Sequence, residues 1–182
     1  MKKLFLTTLV LATSVTAFAA DNSKDGTVNF NGKLVDNTCE VNSNSKNLSI
    51  QLPTLPTRLL PAANDTAGLT LFQIQLDNCG KETKARAYFV PTPDKVDLAS
   101  GRLINTASGG AAEAAENVQV QLLDKDTTTV INATGTGGNQ ASKLQTINDS
   151  NNKLTYYARY YATGKTTAGV VTAAVDYYVE YE

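Results

Sequence analysis

The chain has 182 residues, 16 basic and 17 acidic side chains, 42% hydrophobic residues and no histidine or tryptophan. That length suits one domain, and the near-neutral charge without a basic cluster excludes a phosphate-backbone binder such as a nucleic-acid protein. Without histidine, neither a Ser-His-Asp nor a Cys-His catalytic arrangement is possible.

Residues 1–19 read as a signal peptide. Lys2 and Lys3 form a positive start, residues 4–15 are mostly apolar but too short to span a bilayer, and Ala17-Phe18-Ala19 is a small-residue cleavage pattern. Removing them leaves 14 basic against 17 acidic residues, net −3. No later segment is apolar enough for membrane insertion.

The mature chain, expected to start at Ala20, opens on an alternating stretch from Gly26 to Cys39. Val28, Phe30, Gly32 and Leu34 share one phase, and Thr27, Asn29, Asn31 and Lys33 the other. Asn31-Gly32 is also a hairpin signal, but a two-residue turn there would put Leu34 on the face opposite Phe30. One continuous strand keeps the apolar residues together. Cys39 and Cys79 are the two cysteines, and an exported chain with two most simply closes one disulfide. In the chain-entropy picture such a loop restricts the unfolded state by about 4 kcal/mol.

Further strands are expected over 47–52, 69–76, 84–90 (ended by Pro91 and Pro93), 118–123, 127–131 after an Asp124-Lys125-Asp126 turn, 143–147, 154–162 and 170–181. Helix evidence is thin: residues 111–116 offer at most one turn, with Gly109 and Gly110 before it and Asn117 after it. Eight or nine short strands separated by polar turns indicate an all-β sandwich. In "YYARYYATG", Tyr156, Ala158 and Tyr160 share a face directed to the core, and Arg159 is expected to cover ring surface outside.

No cofactor, metal or catalytic motif emerges. The carboxylate pairs Asp124 with Asp126 and Glu113 with Glu116 sit in turn-like contexts and read as solvated surface rather than as an acid–base pair. At the other end, "VDYYVEYE" alternates Val175, Tyr177, Val179 and Tyr181 to the penultimate residue, where chains ordinarily fray unless tied into a sheet.

Taken together, these features resemble the pilin subunits of chaperone–usher fimbriae, most like type 1 major pilins. The resemblance is carried by the arm "FNGKLVDNTC" with its in-phase Gly32 seven residues before Cys39, by the cysteine spacing, by "ARYYATG" (158–164), by Gly169 fourteenth from the end, and by the penultimate Tyr181. It covers essentially the whole mature chain. It implies an incomplete immunoglobulin-like sandwich lacking its last strand, with residues 20–36 as a donor-strand extension and 37–182 as the domain. Val28, Phe30, Gly32 and Leu34 would form the donor strand. Gly169, Val175, Tyr177, Val179 and Tyr181 would belong to the acceptor groove and to the strand that a chaperone grips, its basic groove taking the terminal carboxylate rather than the Glu182 side chain. The implied partners are neighbouring pilins in a head-to-tail homopolymer, a periplasmic chaperone and an outer-membrane usher. The implied destination is a surface fimbria that supports adhesion, reached through the periplasm. Two other readings remain: a minor adaptor or tip pilin, and a secreted β-sandwich enzyme or carbohydrate-binding module that folds alone.

Overall fold

A computed structural model describes residues 26–32, 39–80, 82–108, 113–148 and 152–182. The expected signal peptide and Leu34 lie outside the described residues. The chain divides into two compact units, Met1–Lys33 and Leu34–Glu182. The second unit is all-β. Its strands are β1 (Glu40–Val41), β2 (Thr66–Asp77), β3 (Thr83–Phe89), β4 (Leu103–Ile104), β5 (Val118–Asp124), β6 (Val130–Ile131), β7 (Gln145–Ile147), β8 (Lys153–Ala162) and β9 (Tyr177–Tyr181). Among the described residues, helix is limited to three short 3-10 turns.

Two sheets face each other. The larger runs β1-β2-β8-β5-β4, with β6 also paired to β5, and the smaller runs β7-β3-β9. All of these pairs are antiparallel. Alternation decides which side chains meet between the sheets. Ile74 and Leu76 of β2, Val120 and Leu122 of β5, and Leu154, Tyr156 and Ala158 of β8 point inward, against Ala85, Ala87 and Phe89 of β3. Phe89 meets Tyr156 edge to face, with centroids 5.5 Å apart. The small Ala87 leaves room for Tyr156 to cross from one sheet to the other, where its Oη accepts the Ala87 N–H at 2.7 Å.

That contact also closes an edge. β7 reaches only Ala85 of β3. Beyond it, Tyr156 takes the Ala87 N–H, and the buried Gln140 accepts from the Phe89 N–H at 2.9 Å and donates to the Phe89 carbonyl at 2.6 Å. Side chains thus satisfy backbone groups that would otherwise be buried without partners.

Three expectations need correction, and the thin helix candidate is not realised. Residues 47–52 are extended but join no sheet among the described residues, because no neighbouring strand lies beside them. The described part of the thin helix candidate, 113–116, is not helical: Ala114 bridges Val170 in parallel, a tertiary pairing that overrides alanine's weak local preference. It is Arg102 that lies over a ring, 4.0 Å from the Tyr161 centroid, while the Arg159 Nε–H donates to Gln121 Oε1 at 2.8 Å on the adjacent strand. And Asp124 is not surface. It continues the inward phase of Val118, Val120 and Leu122, is fully buried, and among the described residues neither carboxylate oxygen has a partner within good hydrogen-bond geometry, the Lys125 and Lys143 N–H groups standing nearby. Its neighbour Asp126 instead pairs with Lys143 at 2.7 Å.

Burial raises the Asp124 pKa; the Lys125 and Lys143 backbone N–H groups and the Lys143 charge oppose the rise, and the Asp126 charge adds to it. An acid whose folded pKa exceeds its unfolded value, near 3.8, costs the fold nothing below that value. The cost grows as pH rises through the folded pKa. Asp124→Asn is therefore expected to stabilise the protein at neutral pH by roughly 1–3 kcal/mol, with the difference between variant and parent vanishing below about pH 4. Thermal unfolding of both chains across pH checks this; a constant difference at every pH contradicts it.

Candidate functional site

On the side of the sandwich away from β7, a cleft of about 830 Å³ lies open between the sheets. One wall is β9 with the extended run before it. Val171, Ala173, Val175, Tyr177 and Val179 line the cleft and are half-buried, while Thr172, Ala174, Asp176 and Tyr178 between them are exposed. The 47–52 segment also lines the cleft along its whole length, with Leu48, Ile50 and Leu52 as its apolar side chains. The floor is the core itself, lined by Phe72, Phe89, Val120, Leu122 and Ala158.

Both segments present unused backbone. β9 hydrogen-bonds β3 through its even-numbered residues: the Val90 N–H reaches the Asp176 carbonyl at 2.8 Å, and the Glu182 N–H reaches the Lys84 carbonyl at 3.0 Å. In an antiparallel strand the alternate residues then direct their N–H and C=O groups to the other edge. For Tyr177, Val179 and Tyr181 no strand lies there among the described residues. Residues 47–52 likewise make no backbone–backbone hydrogen bond among the described residues.

β9 is held from two directions. On its outer face four cross-strand contacts fix its register on β3 and the adjoining loop. Lys95 pairs with Asp176 at 2.7 Å, Tyr88 stacks on Tyr178 with centroids 4.7 Å apart, Arg86 pairs with Glu180 at 2.8 Å, and Lys84 meets Glu182 at 3.4 Å. On its inner face the Tyr177 Oη–H donates to the Ser45 carbonyl at 2.6 Å, and the Tyr181 Oη–H donates to the Cys39 carbonyl at 2.9 Å. Partial burial raises the pKa of both phenols, so they remain donors at neutral pH. Cys39 is bonded to Cys79, the disulfide expected from the cysteine count, which ties the start of β1 to the residue pair after β2.

The other singled-out residues fall as follows. Val28, Phe30 and Gly32 belong to a run, 26–32, with no helix or strand. Val28 is 76% and Phe30 91% exposed, and a Cβ added at Gly32 would meet nothing within 4 Å. Gly169 stands where the chain crosses 113–115 before entering the β9 wall. A Cβ there would lie 2.4 Å from the Ala115 nitrogen and 2.5 Å from the Glu113 oxygen, so a side chain would push that crossing apart. Sequence reasoning saw the 47–52 alternation but not its role as a cleft wall, and it missed the floor. The signal for the wall was present: three in-phase apolar residues ending at Pro53.

A cleft of this kind, long, largely apolar and edged by main-chain groups that are unpaired among the described residues, fits an extended strand. A family model for fimbrial proteins matches residues 28–182. This chain belongs to the fimbrial protein family. It is 42% identical over 166 residues to the major fimbrial subunit SMF-1 of Stenotrophomonas maltophilia, covering 89% of this chain and 95% of that one. It is 36% identical over 214 aligned positions to the major fimbrial subunit of Haemophilus influenzae, covering all of both. The P pilus rod subunit PapA shares its fold, with a TM-score of 0.55 at 18% identity over 79% of this chain and 99% of PapA. The protein is thus a pilin with the incomplete immunoglobulin-like sandwich, a structural subunit of a surface fimbria that polymerises with other pilins, and not an enzyme.

Proposed function

We propose that the cleft is an acceptor for a donor strand, and that the donor is the 26–34 arm of the next subunit. The observation that carries this reading is the pairing, in one sequence, of an apolar cleft with an unpaired β9 edge and an exposed arm bearing Val28 and Phe30. Adding a strand satisfies the free main-chain groups of β9, while alternate side chains entering the cleft set the register. Val28, Phe30 and Leu34 would enter it, each contributing roughly 1.5–3 kcal/mol before ordering costs. Thr27, Asn29, Asn31 and Lys33 would face solvent. Gly32 lets the donor backbone pass close to the cleft floor, where a side chain would hold it off. The lengths agree: the arm from Val28 to Leu34 extends roughly 20 Å, within the roughly 26 Å from Val171 to Val179.

The arm of one subunit seated in the cleft of the next makes a head-to-tail contact, which propagates as an open filament rather than closing into a ring. Before assembly the same β9 edge needs cover, since an exposed apolar cleft beside a free strand edge promotes aggregation. A periplasmic chaperone supplying a temporary strand, and an outer-membrane usher where that strand is exchanged, complete the route to the cell surface. There the fibre supports adhesion. This is the reading of a major subunit; a minor adaptor pilin would use the same cleft and arm.

Deleting residues 20–36 and co-expressing the chain with its chaperone is expected to give a soluble chaperone complex and no fibres by electron microscopy. Fibres built from the truncated chain contradict the proposal. Gly32→Leu is expected to leave chaperone binding intact and to slow or block subunit addition. Unchanged assembly kinetics refute the part given to this glycine.

A further inference from the structure

A cleft walled by apolar side chains is under hydrophobic pressure to close. Burying its lining by letting the two sheets collapse together would remove the site. On the β7 side the sheets are joined by Tyr156, reaching from β8 to the Ala87 N–H. On the cleft side no strand joins them among the described residues. Two side chains do. Tyr177 and Tyr181, four residues apart on β9 and therefore on one face, span from the small sheet to carbonyls of the 39–45 segment.

Both carbonyls are anchored to the large sheet. Cys39 is fixed by its disulfide to Cys79 and by the adjoining β1–β2 pairing of Glu40 with Asp77. Ser45 is fixed because its buried Oγ accepts the Gln75 N–H of β2 at 2.8 Å. Each tyrosine is thus a stiff aromatic body with one end in β9 and a hydrogen-bonded tip on a fixed point of the opposite sheet. The hydroxyl bonds hold the rings upright between the sheets, and the rings so held resist the sheets' approach.

We infer that Tyr177 and Tyr181 are positioning residues, struts that hold the cleft at strand width before a donor arrives. The inference rests on the acceptor reading above and adds how the acceptor is kept ready. It has a kinetic signature. Once a donor strand is seated, its own side chains and main-chain bonds set the sheet spacing, and the struts become redundant. Their loss therefore slows entry of a donor without hastening its departure, whereas a purely stabilising contact with the bound strand would change the exit rate.

The test uses the mature full-length chain, dilute enough to remain monomeric, and a fluorescent peptide with the sequence of residues 26–36. Tyr177→Phe and Tyr181→Phe keep the rings but remove the bonds that fix them upright, so that the rings fold over and the cleft narrows. Tyr178→Phe is the control, since it takes a hydroxyl from the same strand but on the outer face, where the stack on Tyr88 survives. Each inner variant is expected to reduce the association rate constant about fivefold, the size of one net hydrogen bond, and to leave the dissociation rate unchanged. The control is expected to match the parent. Hydrogen exchange supplies a second readout: amides of residues 171–179 exchange faster in the two inner variants than in Tyr178→Phe. Parent-like association and exchange in the inner variants, or a change confined to dissociation, overturns the strut inference while leaving the acceptor reading standing. A parent chain that fails to bind the peptide overturns both.

Discussion

A β-strand edge above an apolar cleft joins two demands that water meets badly. The N–H and C=O groups along the free edge of β9 need partners in a line, and the side chains beneath them need cover. A single added strand meets both at once. No small ligand or isolated side chain does so, and much of the remaining architecture follows from keeping that edge available. The opposite edge of the same sheet is closed by different means: β7 for three residues, then the side chains of Tyr156 and Gln140. Closure by side chains occupies the β3 groups that β7 does not reach, and under the proposed acceptor reading β9 is where a strand is added.

Keeping an edge open requires the strand that bears it to stay in place. A strand paired on one side and lacking cover on the other has few contacts and tends to open locally. Here the exposed face of β9 carries ion pairs on either side of a tyrosine stack, and its inner face is tethered by two phenol hydroxyls. Surface ion pairs contribute little individually. Their arrangement matters more for register, because a two-residue slip would set Glu180 against Tyr88 and undo the stack and the pairs together. The disulfide acts at the foot of the same wall, fixing the segment on which Tyr181 ends.

The fold was largely legible from residue periodicity, and the exceptions have physical causes. β2, β3, β5 and β8 are long enough for alternation to identify them, and Tyr156 turned inward as its phase required. β1 and β4 have two residues each, too short to leave a pattern. The 47–52 run alternates like a strand yet belongs to no sheet of its own chain among the described residues; the sequence pattern reports a capacity for pairing, not a partner within the molecule. Asp124 was misread because Asp-Lys-Asp is a strong turn signal, although counting in twos from Val118 places it inside. The cleft's alternating wall was visible in Val175, Tyr177 and Val179, but its floor and the tyrosine tethers arise from residues more than a hundred positions apart, such as Ser45 and Tyr177, and no local pattern encodes them.

The central claim is that the sandwich is completed by another copy of the chain. A cryo-electron microscopy map of the assembled fibre tests it most directly. The account predicts continuous density for residues 26–34 of one subunit lying against β9 of its neighbour, with Val28, Phe30 and Leu34 directed between the sheets. A fibre in which the neighbouring subunit's arm lies elsewhere, with the cleft closed or filled by residues of its own chain, would contradict it.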